Sequence, residues 1–155
     1  MAILQEESIG LMPQLIEGGL AVDDRGEVAF VNGFSFAGTR RFYAVSNHAA
    51  GFIRAWHGHR YESKQVMVLR GSALVAAVRI DDWQNPSPES EVHRYVLSDK
   101  KPAVLQIPPG YANGFMSLTS GVQLLFFSSA TLAESREDDV RFPARFWNPW
   151  EIAER

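Results

Sequence analysis

The chain has 155 residues, of which 46% are apolar and 21% charged, which suits a single folded domain with a sizeable core. A net charge of −3 with no basic block argues against a nucleic-acid partner, and the lack of cysteine excludes disulfides and thiol catalysis. No basic region followed by a long apolar run opens the chain, and no apolar run is long enough to span a bilayer, so a cytoplasmic protein with no membrane partner is expected.

Residues 1–22 read as a lead-in whose Leu11, Leu15 and Ile16 pair an edge strand or pack on a neighbouring subunit. Asp23-Asp24-Arg25-Gly26 is a turn signal, and residues 27–32 alternate as a strand. Residues 39–46, rich in aromatic and β-branched types, form the next strand, and Asn47 to Gly51 a loop. A histidine-bearing strand follows, then two strong strands at 64–70 and 72–80 split by Gly71. A polar loop with Pro86 and Pro88 leads to strands at 91–97 and 103–108. Residues 111–118 and 122–128 are expected to make a hairpin around Thr119-Ser120-Gly121. No long 3.6-residue apolar period occurs before residue 130, so the chain is read as all-β, with 23–128 as the barrel. The tail, 129–155, is acidic and then aromatic, and is expected to form a short helix and pack over the barrel.

The chemistry concentrates between Gly51 and Gly71. His57 and His59 are two apart in an extended segment, which puts both imidazoles on one face. Lys64 follows on the next strand. An ammonium has donors only and repels a cation, so no metal is expected at these residues. His, His and Lys at the mouth of an apolar barrel are parts for proton transfer and oxyanion stabilisation.

The spacing G-x5-H-x-H-x4-K-x6-G resembles the first signature of the cupin β-barrels, with Lys64 where the metal-binding carboxylate usually stands. Residues 108–117, Pro-Pro-Gly-Tyr-Ala-Asn-Gly-Phe-Met-Ser, resemble the second, with Asn113 in place of its histidine. Over roughly residues 20–150 the chain is similar to two nucleotide-sugar cupin groups, the dTDP-4-dehydrorhamnose 3,5-epimerases and the dTDP-4-keto-6-deoxyhexose 3,4-ketoisomerases. Asp23-x-Arg25-Gly26, Asn47-His48 with Arg54 and His57, Lys64, Asp82 with Ser87-Pro88, and Ile107 to Phe115 resemble epimerase motifs. Arg40-Arg41-Phe42-Tyr43 and His57-x-His59-Arg60 resemble ketoisomerase ones.

The resemblance implies an RmlC-like antiparallel barrel, or jelly roll, that epimerises or isomerises a nucleotide-linked 4-keto-6-deoxy sugar without a cofactor, as a homodimer. It implies His57 as base, Lys64 as enolate stabiliser, and His59 and Asp82 as further catalytic groups. Arg25, Asn47, His48, Arg54, Tyr43 and Asn113 are then the substrate-binding residues. In the same register Phe126 occupies the slot of the epimerase's tyrosine acid, and Tyr43, Tyr61 and Tyr111 are the nearby hydroxyls that could replace it. The chain also ends before the region in which the epimerase base finds its carboxylate partner. A cupin that binds a sugar or regulates a partner without catalysis is the alternative reading.

Overall fold

Period-two alternation places the strands, and clusters of Gly, Pro, Asp and Asn end them. The computed structural model describes residues 11–155. Among these residues the chain forms β1 (Gln14–Glu17), β2 (Gly19–Asp23), β3 (Gly26–Phe30), β4 (Arg41–Ser46), β5 (Ile53–His59) and β6 (Lys64–Arg70). It continues with β7 (Ser72–Arg79), β8 (Val92–Ser98), β9 (Ala103–Ile107), β10 (Tyr111–Ser117), β11 (Gln123–Ser128), α1 (Leu132–Glu137) and β12 (Val140–Arg141).

Two five-stranded antiparallel sheets result, ordered β1-β9-β6-β11-β4 and β12-β5-β10-β7-β8, and β2-β3 form a separate hairpin. This is the expected all-β double-sheet barrel. The lead-in contributes β1 to the edge of the first sheet, with Leu15 opposite Leu105; residues 1–10 of that lead-in lie outside the described residues.

One expected pairing does not form. β10 and β11 are not a hairpin: β10 lies between β5 and β7 in one sheet, and β11 between β4 and β6 in the other. The turn Thr119-Ser120-Gly121 arches between sheets, and turn chemistry alone does not distinguish an arch from a tight hairpin. Gly71 makes another of the crossings between the sheets, from β6 to β7. Its φ of +78° and the closeness of Thr119 Oγ1 to where a Cβ would stand require glycine there.

Two apolar layers hold the barrel. Val66, Val75, Leu105, Phe115, Leu124 and Phe126 fill the space between the sheets. Behind the second sheet, Trp56, Leu74, Val78 and Met116 pack against Trp147 and Trp150 of the tail. β7 is therefore buried on both faces and reads as an almost unbroken apolar run. Each buried indole N–H finds a carbonyl: Trp56 Nε1 donates to Ala144 and Trp147, Trp147 Nε1 to Ser87, and Trp150 Nε1 to Ala144.

The tail does form a short helix, started by a Thr131–Glu134 capping box. It then returns as β12 to pair with β5, Arg141 opposite His57 and Val140 opposite Gly58. A Cβ on Gly58 would meet the Trp83 ring at 2.7 Å and the Val140 carbonyl at 3.1 Å, so the glycine between the two histidines lets the tail lie against their strand. No helix among the described residues is long and apolar enough to cross a membrane.

Candidate active site

One open end of the barrel holds a cavity of about 240 Å³. β5 supplies His57 and His59, β6 begins with Lys64, β10 gives Asn113, β4 gives Tyr43, and β11 gives Phe126. The tail adds Asp139 and Arg141. Strict alternation would turn Arg54 away from His57. A register shift between β10 and β5 at Asn113/Phe115 breaks the alternation, and Arg54 joins the lining.

His57 is half-buried, and its pKa is pushed down to about 4, chiefly by burial and then by the cations Arg141 and Lys64. Asp139 opposes that shift, while its own carboxyl is held low by Arg141, whose Nε donates to it at 2.8 Å. The tail thus brings a carboxylate to the neighbourhood of His57. Neutral His57 is a proton acceptor across physiological pH.

His59 is buried, and its Nδ1–H donates to the Asp138 carbonyl at 2.7 Å. A carbonyl can only accept, so that bond fixes the tautomer and leaves the lone pair on Nε2, which has no partner. Burial first and Lys64 second lower its pKa, while Glu62 and Asp138 act the other way. The Asp138 carboxylate also accepts the backbone N–H groups of Arg60, Tyr61 and Glu62 at 2.8–3.0 Å, which ties the turn between β5 and β6 to the tail.

Lys64 Nζ stands 5.6 Å above the Tyr43 ring and 5.9 Å above Phe126. The two rings stack at 5.1 Å and 8°, because Tyr43 and Phe126 are direct partners across the β4–β11 ladder. Of the three tyrosines that could carry the acid, Tyr43 alone lines this cavity. Tyr61 is 82% exposed, and the Tyr111 hydroxyl is spent on the Leu11 carbonyl at 2.9 Å. Asn113 donates to the His57 carbonyl at 3.3 Å.

Four expected residues are placed elsewhere. Asp82 lies in the loop after β7 and accepts from Gln84 N and Asn85 N, so its carboxylate shapes a turn and does not reach the cavity. Arg25 sits exposed at the β2–β3 turn, paired with Asp23 at 2.6 Å, away from the cavity of its own chain. His48 is exposed in a shallow depression on the far side of Arg54. Asn47 is buried and acts through its neighbour: its Oδ1 accepts from Arg54 Nε at 2.7 Å while its Nδ2 donates to Ser117 Oγ and the Phe52 carbonyl.

The site residues not foreseen are Glu62, Asp138, Asp139 and Arg141. Glu62 stood inside the signature, between Arg60 and Lys64, where an acidic residue flanked by two cations was the available sign. The other three lie in a charged tail that reads as solvated surface, and nothing local marks the return of that tail to β5.

The fold and cavity define a cupin-type double-sheet barrel with two imidazoles and a lysine lining one cavity. The family model described as dTDP-4-dehydrorhamnose 3,5-epimerase matches residues 23–151, and the chain belongs to that family of sugar epimerases and isomerases. Among solved structures it is similar to a Bacillus anthracis dTDP-4-dehydrorhamnose 3,5-epimerase with TDP and PPi bound, at 19% identity and a TM-score of 0.73, covering 92% of this chain and 86% of that one. QdtA, a sugar 3,4-ketoisomerase from Thermoanaerobacterium thermosaccharolyticum in complex with TDP, aligns at 21% identity and a TM-score of 0.65, over 88% and 92%. The Mycobacterium tuberculosis rmlC epimerase aligns at 20% and 0.64 over 78% of this chain, which spans 64% of that protein's length. At these identities the likeness is one of fold. No match was found among curated proteins.

Proposed function

We propose that the protein epimerises or isomerises a nucleotide-linked 4-keto-6-deoxy sugar by removing a proton α to the ketone. The observation that carries this reading is the convergence of neutral His57, His59 and Lys64 on one cavity with an aromatic wall. His57 takes the α-proton, and the electron pair moves onto the ketone oxygen, where the Lys64 ammonium receives the charge. Tyr43, stacked on the phenylalanine that fills the usual acid slot, is the hydroxyl available to return a proton. Arg54 and Arg141 are the cations in the lining that suit a diphosphate, and the family's relatives support a dTDP sugar as substrate. No metal or cofactor enters the reaction.

The free Nε2 of His59 favours the 3,4-ketoisomerase form of this activity. His57 would move the proton between the two carbons and His59 the proton between the two oxygens. Incubating the protein with dTDP-4-keto-6-deoxyglucose in deuterated water and following the ring hydrogens by NMR tests the reading. Loss of the C3 hydrogen with appearance of the 3-ketone supports the ketoisomerase, and exchange at C3 or C5 with inversion supports an epimerase. Tight binding with neither exchange nor a new ketone or inverted centre would point to the non-catalytic cupin.

The reading extends to a homodimer in the cytoplasm, supplying sugars for cell-surface polysaccharide. The β2–β3 hairpin stands apart from both sheets and exposes Val22, Val28 and Phe30, an apolar surface suited to a second copy.

A further inference from the structure

Among the described residues, two buried side-chain polar atoms lack a hydrogen-bonding partner, and both belong to the surroundings of one imidazole. One is His59 Nε2. The other is Glu62 Oε1, 3.6 Å from Nδ1 of the same ring. Buried polar atoms are rarely left unpaired, because each costs about 1–3 kcal/mol. Two at one ring point to a partner that is present only during turnover.

The rest of Glu62 is engaged. Its side chain is fully buried, and Oε2 accepts from Ser128 Oγ at 2.8 Å. Arg41 Nη2 at 3.6 Å and Lys64 Nζ at 3.9 Å approach that same oxygen. These contacts fix the carboxylate and leave Oε1 beside the ring. A neutral His59 makes no use of it, since its one N–H goes to the Asp138 carbonyl. An imidazolium spreads its charge over both nitrogens and does use it.

We propose that Glu62 is a positioning residue acting through His59, holding the ring and supplying the counter-charge when Nε2 takes a proton in the cavity. The inference rests on the proposed isomerisation. There, after His57 has taken the α-proton, the neighbouring hydroxyl proton passes to Nε2 and from it to the enolate oxygen. The C=C pair then takes the proton back from His57 at the former ketone carbon, and the deprotonated oxygen forms the new carbonyl. Atoms and electrons balance, both histidines end neutral, and His59 is cationic only in transit. The other charged or titratable groups around the ring are Lys64, which opposes that cation, Asp138, which favours it, and His57 and Asp139 across the cavity.

The test is Glu62→Gln, which keeps the size and an acceptor for Ser128 and removes the charge. Imidazole ¹⁵N spectra of the substrate-free protein across pH read His59 without any need for turnover. The variant should bind the His59 proton about tenfold more weakly, a shift of about one pH unit. With substrate, kcat should fall about tenfold or more at unchanged KM. In a His59→Gln background the same change should cost little further, as expected of residues acting as one unit. Unaltered His59 titration, or an equal loss of kcat with and without His59, overturns the proposal. A wild-type protein that isomerises no sugar defeats the functional reading alone, and the titration still decides the role of Glu62. Should the variant fail to fold, the ¹³C shift of the wild-type Glu62 carboxylate decides: it must follow the His59 titration, and indifference to the ring overturns the proposal.

Discussion

At the scale of single residues, burial decides the chemistry more than residue type does. A histidine taken at its reference pKa of 6.5 would be a base half lost just below neutral pH. In this cavity burial, Arg141 and Lys64 bring His57 to about 4. Its working form is the neutral one, so turnover should persist well below pH 6.5 and fall only as the pH drops through about 4, as a pH–rate profile would show. The same shift acts on stability. The unfolded chain takes up the His57 proton near 6.5 and the folded one near 4, so stability is greatest above that window and declines as the pH falls through it. Lys64 is the other decisive residue. Its ammonium sits over the Tyr43–Phe126 pair, whereas Arg41 lies over the Tyr43 ring alone among the described residues. Lys64→Met, similar in length and without charge, should lower kcat about 10²–10³-fold, the usual loss for an oxyanion donor, with nucleotide binding retained through Arg54 and Arg141.

At the scale of elements, the returning tail matters most. Asp138 closes α1, holds three backbone N–H groups of the β5–β6 turn with its carboxylate, and orients His59 with its carbonyl. Asp138→Ala leaves those N–H groups without their acceptor. Urea unfolding should show a loss of about 2–4 kcal/mol, and turnover should drop further than stability alone explains, because the His59 turn loosens. Much of this element structure is legible in the sequence. Alternation and turn residues find the strands from β3 to β11 within a few positions, and the H-x-H spacing puts two imidazoles on one face. What is not legible is set by contacts distant in the chain. β10 and β11 carry the local marks of a hairpin, yet each is claimed by strands of a different sheet. Asp82 sits in a stretch that resembles a family loop, yet its carboxylate closes its own turn. Asp138, Asp139 and Arg141 become site residues only because Trp147 and Trp150 dock behind Trp56 and carry the segment between along β5.

At the scale of the whole molecule, two features point outward from the single chain. Among the described residues the β2–β3 hairpin pairs with neither large sheet, and its Val22 and Val28 are exposed. Val22→Asp with Val28→Asp should turn a dimer into a folded monomer in sedimentation at micromolar concentration; a wild type already monomeric there contradicts the dimer. The second feature is the cavity, where neutral bases, an ammonium and two guanidinium groups converge on a space of about 240 Å³. The central claim is that His57 removes the sugar's α-proton there, and the most direct measurement is hydrogen exchange with deuterated solvent at the carbons flanking the ketone. His57→Ala should slow that exchange about 10²–10⁴-fold, the usual worth of a general base, while nucleotide binding measured in the same sample is unchanged. Exchange in His57→Ala at the wild-type rate would contradict the account.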